Sequence, residues 1–219
     1  PGGRNTVRLF DVEGVELVAK RYRRANIVQR IAYTFFRPTK CRRAYEYALE
    51  FQQRGIDTPQ PVAYLEQRRG GLFAVGYFVS LACHWPNLFE VLPRTGDYDD
   101  RMAQLLAHHL LKTHEAGILH GDLNLSNILY RRHEAGETDF SYIDINRSQL
   151  RSGMPTREEC IHNLVRLTHR RDLYERIIGL YAKARGWDEQ AAISEAIARL
   201  DHFEHKRHRH QQLKKLIKH

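Results

Sequence analysis

The chain has 219 residues, 42% of them apolar, and its 35 lysines and arginines outnumber its 26 aspartates and glutamates to leave a formal charge of +9. This is enough for one large core or two small lobes and argues against disorder over most of the length. No stretch approaches the roughly 20 consecutive apolar residues of a membrane span, and no signal-peptide hydrophobic region opens the chain, so a cytoplasmic protein with an anionic partner is expected.

In chain order, Pro1-Gly2-Gly3-Arg4-Asn5 reads as the middle of a loop, so that sequence upstream of Pro1 is expected; Gly2-Gly3 would be the tail of a phosphate-covering glycine loop. Thr6 to Phe10 and Val15 to Lys20 flank Glu13-Gly14 as a β-hairpin, with Lys20 ending the second strand. Thr39 to Arg54 carries Ala44, Tyr45, Ala48, Leu49 and Phe51 at helical spacing and stops at Gly55. Cys41, Cys83 and Cys160 are scattered and unpaired in spacing, and read as reduced packing residues, not as a zinc or disulfide framework. Pro61 to Glu66 and Leu72 to Leu81, joined through Arg69-Gly70-Gly71, make a second hairpin.

After Pro86 the pattern turns helical. Asp99 or Asp100 caps a segment with Met102, Leu105, Leu106, His109, Leu110 and Thr113 on one face, ending at Gly117. Thr156 to Glu159 is a capping box for a helix to about Leu167; Asp172 opens another that stops near Gly186, and Asp188 opens a long last one. The fold class is therefore α+β: a small β-rich N-terminal lobe over residues 1–84 and an α-rich C-terminal lobe over 85–219, with a cleft between them, in a single domain.

The residues with chemistry are His120-Gly121-Asp122-Leu123-Asn124-Leu125-Ser126-Asn127, followed by Tyr142-Ile143-Asp144-Ile145-Asn146. An aspartate and an asparagine five positions apart on a loop, then an aspartate at a strand end, form a phosphotransfer pattern of protein-kinase-like type. Asp122 is the expected base for an acceptor hydroxyl, Asn127 and Asp144 the magnesium ligands, and His120 a support for the loop. Ser126 lacks the Gly-x-Ser-x-Gly elbow of a hydrolase nucleophile. Lys20 after Val18-Ala19 is the expected phosphate contact, paired with Glu46 on the following helix, or with Glu50 one turn on. ATP and Mg2+ are the implied cosubstrate and cofactor.

At the other end, His202, His205, His208 and His210 lie among Lys206, Arg207, Arg209, Lys214, Lys215 and Lys218, with Leu200, Phe203, Leu213, Leu216 and Ile217 threaded through. A histidine tract can bind metal, but this one reads first as a basic amphipathic helix suited to an anionic lipid surface; aromatic residues are too few for single-stranded nucleic acid, and no nucleic acid is expected.

These residues resemble the lipopolysaccharide core kinases, the Kdo and heptose kinases. The resemblance runs from about Arg4 to the basic C-terminus, through Gly3 to Val7, the strand to Lys20, Arg43 to Tyr47, Gly55 to Pro61, His120 to Asn127 and Tyr142 to Arg147. It implies ATP-dependent phosphorylation of a sugar hydroxyl on a lipid A-linked inner core, at the cytoplasmic face of the inner membrane, with peripheral contact to anionic lipid. Asp144-Ile145-Asn146 stands where protein kinases have Asp-Phe-Gly, and no Ala-Pro-Glu follows, which disfavours a regulated protein kinase. A RIO-like atypical serine kinase and a small-molecule phosphotransferase are the alternatives. A silent kinase-like scaffold is a third, disfavoured because Lys20, Asp122, Asn127 and Asp144 are all present.

Overall fold

Alternating residues around a left-handed turn start the fold. The computed structural model describes residues 5–216, with side chains to residue 213; Gly2-Gly3, Ile217 and Lys218 lie outside the described residues, as do the side chains of Lys214, Lys215 and Leu216. Strands β1 (Thr6–Val12) and β2 (Val15–Arg21) pair antiparallel across Glu13-Gly14, where both φ angles are positive and Gly14 N donates to Asp11 Oδ1 at 2.9 Å. That geometry suits the right-handed twist of a two-residue hairpin. Strands β3 (Pro61–Arg69) and β4 (Leu72–Leu81) form the second hairpin, and the sheet order is β1-β2-β4-β3. Strand β3 runs on to Arg69, three residues past the expected Glu66, because the Gly70-Gly71 turn brings Arg69 opposite Leu72.

Two helices, not one, separate the hairpins. The extra helix, α1 (Ile27–Phe35), starts at a capping box in which Asn26 and Gln29 bond each other's backbone. It packs against β4 by its polar side: Arg30 Nε donates to Phe73 O at 2.9 Å, Phe73 N donates to Thr34 Oγ1 at 2.9 Å, and Tyr33 meets the Phe73 ring edge-on at 5.4 Å. Its apolar stripe of Ile27, Val28, Ile31 and Phe35 faces solvent. Helix α2 (Lys40–Gln53), expected over Thr39 to Arg54, has those two residues as its caps and buries Cys41, Ala44, Ala48 and Phe51. Full burial of a side chain such as Phe51 contributes about 2–3 kcal/mol.

The chain divides into two compact units, one comprising residues up to Trp85 together with Ser141–Ser148, the other Pro86–Phe140 and the residues from Gln149 onward. The Ser141–Ser148 segment joins the first unit through a parallel bridge between Asp57 and Ser141, through Tyr142 N donating to Asp57 O at 2.9 Å, and through Thr58 Oγ1 donating to Tyr142 O at 2.7 Å. The Tyr142 ring meets Phe51 edge-on at 6.1 Å, which ties it to α2.

The second unit is mainly helical: α3 (Asp100–Glu115, capped by Asp99), α4 (Arg157–Leu164, with the Thr156 capping box), α5 (Arg171–Ala184) and α6 (Glu189–Leu216). Helix α4 ends three residues before the expected Leu167, and α5 opens at Arg170 with no side-chain cap. Short strands β5 (Ile118–Leu119) and β8 (Gln149–Leu150) pair, as do β6 (Ile128–Arg132) and β7 (Thr138–Tyr142). His114 is buried, its Nδ1 2.7 Å from Tyr181 Oη and its Nε2 3.1 Å from Asn163 Oδ1, pinning α3 to α5 and α4. Among the described residues no helix is long and apolar enough to cross a membrane, and no cluster of three or more His, Cys, Asp or Glu could hold a metal ion.

Candidate phosphotransfer site

The residues singled out in the sequence fall in both units: Lys20, Glu46 and Asp144 in the first, Asp122 and Asn127 in the second. In the first unit, Lys20 sits on β2 opposite Val7 and Phe78, and its Nζ lies 2.7 Å from Asp144 Oδ1 and 5.6 Å from the centroid of the Tyr22 ring. Asp144 follows β7 in the left-handed region, at φ 58° and ψ 38°. A non-glycine residue there is uncommon and costs free energy unless its surroundings hold it. Asn146 holds it, donating from Nδ2 to Asp144 Oδ1 at 2.6 Å. Burial, reinforced by the charge of Asp144, pushes the Tyr22 hydroxyl well above the usual phenol range. Burial, with the neighbouring Arg147, Arg43 and Arg37, lowers the Lys40 ammonium.

The expected pairing of Lys20 with Glu46 is not formed. Glu46 Oε1 takes Arg42 Nε at 2.7 Å on the exposed side of α2, and Glu50 takes Arg54 at 3.3 Å. The reason is helical phase: at about 100° per residue, Glu46 stands roughly half a turn round from the buried stripe of Cys41, Ala44, Ala48 and Phe51. Lys20 has Asp144 as its partner instead.

In the second unit, the loop after β5 is fixed through its backbone. Asp122 N donates to His120 Nδ1 at 3.1 Å, and the Asp122 carbonyl accepts from Asn127 Nδ2 at 2.8 Å and Asn124 Nδ2 at 3.0 Å. His120 is buried, and its own carbonyl accepts from Asn163 Nδ2 at 2.7 Å. His120 therefore orients the loop, and its Nδ1 is spent as an acceptor. With Asn127 Nδ2 committed to backbone, Oδ1 is the atom that could meet a cation. Asp144 and Asn127 both offer oxygen, which suits magnesium, a hard cation.

The Asp122 carboxylate, 29% exposed, has Arg166 Nη1 2.9 Å from Oδ1. It opens onto a cavity of about 540 Å³ lined also by Arg94, Arg170, Arg207 and Phe203. Sequence reasoning missed Arg166 and Asn146. Asn146 had a signal, two residues after Asp144 in the same short segment; Arg166 had none, because only the fold brings the end of α4 beside the loop.

A profile of the Lipopolysaccharide kinase (Kdo/WaaP) family matches residues 1–190. A 3-deoxy-D-manno-octulosonic acid kinase of Vibrio parahaemolyticus is 24% identical over 132 residues, which are 58% of this chain and 55% of that protein. Its counterpart in Vibrio vulnificus strain YJ016 is 23% identical over 169 residues, 75% of this chain and 70% of that one. The chain thus spans little more than half the length of the first of these relatives. Among solved structures, "WaaP in complex with acyl carrier protein" superposes with a TM-score of 0.61 at 16% identity, covering 92% of this chain and 83% of that one, a likeness of fold.

Proposed function

Because the chain belongs to the Lipopolysaccharide kinase (Kdo/WaaP) family, we propose that it transfers the γ-phosphoryl group of ATP to a sugar hydroxyl, of Kdo or heptose, on a lipid A-linked inner core. The observation that carries this reading is the Asp122 loop: a carboxylate on a backbone locked by His120, Asn124 and Asn127, opening into a basic cavity.

The chemistry follows from charge and position. Asp122 Oδ1 is engaged by Arg166, so Oδ2 is the oxygen that accepts the hydroxyl proton. The acceptor oxygen bonds to the γ-phosphorus, the bond from that phosphorus to the β–γ bridging oxygen breaks, and ADP leaves with the electron pair. Arg166 holds the carboxylate in place and offsets negative charge near it. Lys20 binds the nucleotide phosphates, exchanging its contact with Asp144 for them. Asp144 and Asn127 are each proposed as magnesium ligands, and magnesium would neutralise phosphate charge. Glu46, paired with Arg42, has no part in this scheme.

The acceptor is lipid-linked, so the enzyme works at the cytoplasmic face of a membrane, held there by its net charge of +9 and the basic C-terminal residues. Each basic residue near an anionic bilayer contributes about 1 kcal/mol, and salt weakens the attraction. The test is purified protein with Mg-ATP and Kdo-lipid A, read by mass spectrometry for one added phosphate. Phosphorylation of a protein or a small soluble alcohol, with none on Kdo or heptose acceptors, would overturn the assignment.

A further inference from the structure

Two basic cavities of the second unit share a wall. The first, at Asp122, is lined by Arg166, Phe203 and Arg207, and so is a second of about 810 Å³ that continues along α6 past Lys206 and Arg209 to Leu213. Asp122 is the one acid among the described residues lining either cavity. The cations at the junction are held in place. Arg166 bonds Asp122 and stacks over Phe203 with its guanidinium carbon 5.4 Å from the ring centroid. Glu204 Oε1 takes His169 Nδ1 at 2.7 Å, and His169 Nε2 in turn accepts from Arg207 Nη1 at 3.0 Å. On the opposite side, Arg170 is anchored by Pro93 O at 3.1 Å and by both Asp172 oxygens at 2.8 Å, so its charge is largely spent. Positive charge without an acidic partner among the described residues therefore lies at Arg207, Lys206 and Arg209 on the α6 side, and at Arg94, which stacks over Phe89 at 5.1 Å. The three α6 residues lie beyond residue 190, where the family match ends.

We propose that this trough binds anionic groups, carboxylate or phosphate, of the acceptor molecule at a distance from the hydroxyl that Asp122 activates. The proposal rests on the reading of Asp122 as the base, because that reading makes the occupant the acceptor and not the nucleotide. Arginines and a lysine that line one cavity along α6 recognise a ligand with several negative charges and do little for a neutral sugar alcohol. Phe203 gives the same wall an apolar ring, against which the Arg166 guanidinium and the His169 imidazole stack.

The test compares the full chain with Arg207→Gln, Arg209→Gln and their double variant, using Arg131→Gln, which lies on the β6–β7 hairpin, as a control matched in charge to each single variant. Calorimetry with inositol hexakisphosphate, a soluble polyanion, reads binding without turnover; steady-state kinetics with Mg-ATP and Kdo-lipid A reads the acceptor KM. The double variant is expected to lose tenfold or more in probe affinity and to raise the acceptor KM tenfold or more, with the ATP KM within twofold and Arg131→Gln unchanged. Repeating the kinetics with dephosphorylated Kdo-lipid A separates the sources: a KM rise seen only with the intact acceptor assigns the trough to phosphates, and one seen with both assigns it to the carboxylate. An unchanged acceptor KM in the double variant while the wild type turns over overturns the trough. Loss of probe binding in the double variant of a chain that leaves Kdo-lipid A unmodified keeps the trough and removes the acceptor assignment.

Discussion

Lys20 Nζ and Asp144 Oδ1 lie 2.7 Å apart although they come from opposite ends of the first unit's sequence. The pair brings a cation for phosphates beside an anion for metal, with no glutamate of α2 between them. Lys20→Met is expected to weaken Mg-ATP binding tenfold or more and to cost less stability than the roughly 3–5 kcal/mol lost when a fully buried pair is broken, since Lys20 is 18% and Asp144 36% exposed. Calorimetry and a melting curve decide it; a large loss of stability with intact nucleotide binding would make the pair structural.

Asp122→Asn should lower phosphotransfer by about 10²–10⁴-fold, the usual range for a positioned base, while leaving ATP affinity within a few-fold. The amide keeps the shape of the side chain and the backbone bonds to His120, Asn124 and Asn127, so what is lost is proton acceptance and the charge of the pair with Arg166. Near-normal single-turnover rates would remove Asp122 from the role.

Asp144→Ala and Asn127→Ala should each weaken magnesium-dependent nucleotide binding, Asp144 by more, since an anionic oxygen stabilises a hard divalent cation better than an amide does. Asp144→Asn is the cleaner variant, because asparagine also tolerates the left-handed backbone. Titration of Mg2+ at fixed ATP checks both, and unchanged binding in Asp144→Asn would assign the acid a structural task.

Acid should destabilise the fold through two histidines. Burial pulls the His109 imidazole down to about 3, with Lys112 adding, and the His114 imidazole down to about 4. Both are neutral in the folded chain, whereas the unfolded chain takes up protons below about pH 6.5. Their contribution is thus fully present above that pH and is lost progressively as pH falls toward the folded values. Between pH 6.5 and 5 the loss is up to about 2 kcal/mol for each. Urea unfolding across that window measures it, and His114→Gln should flatten the slope by its share; a slope unaltered by that substitution would exclude His114.

Much of this was legible because it is written locally. Asp99 and Thr156 announce their helices by capping chemistry, and Asp122 and Asn127 lie within one loop. What was not legible depends on distant parts of the chain. Ile27 to Phe35 is rich in β-branched and aromatic residues, which favour strands, and its helix turns the apolar stripe outward, so neither propensity nor periodicity gives its environment. Glu46 is a glutamate on the helix that follows the lysine strand, but lying on that helix does not fix which way a side chain faces. Arg166 reaches Asp122 only because Asn163, one turn before it, is bonded to the His120 carbonyl.

Side chains alternate across a pleated strand, so the direction of Lys20 is a matter of parity counted along β2. One residue inserted between Val15 and Lys20 would turn the ammonium to the opposite face of the sheet. The same insertion at Glu13-Gly14, outside the paired registers of Val12 with Val15 and Val7 with Lys20, would lengthen the turn and leave that parity alone. Length variation among related chains should therefore gather at the hairpin tip and be absent from the few residues that lead to the lysine.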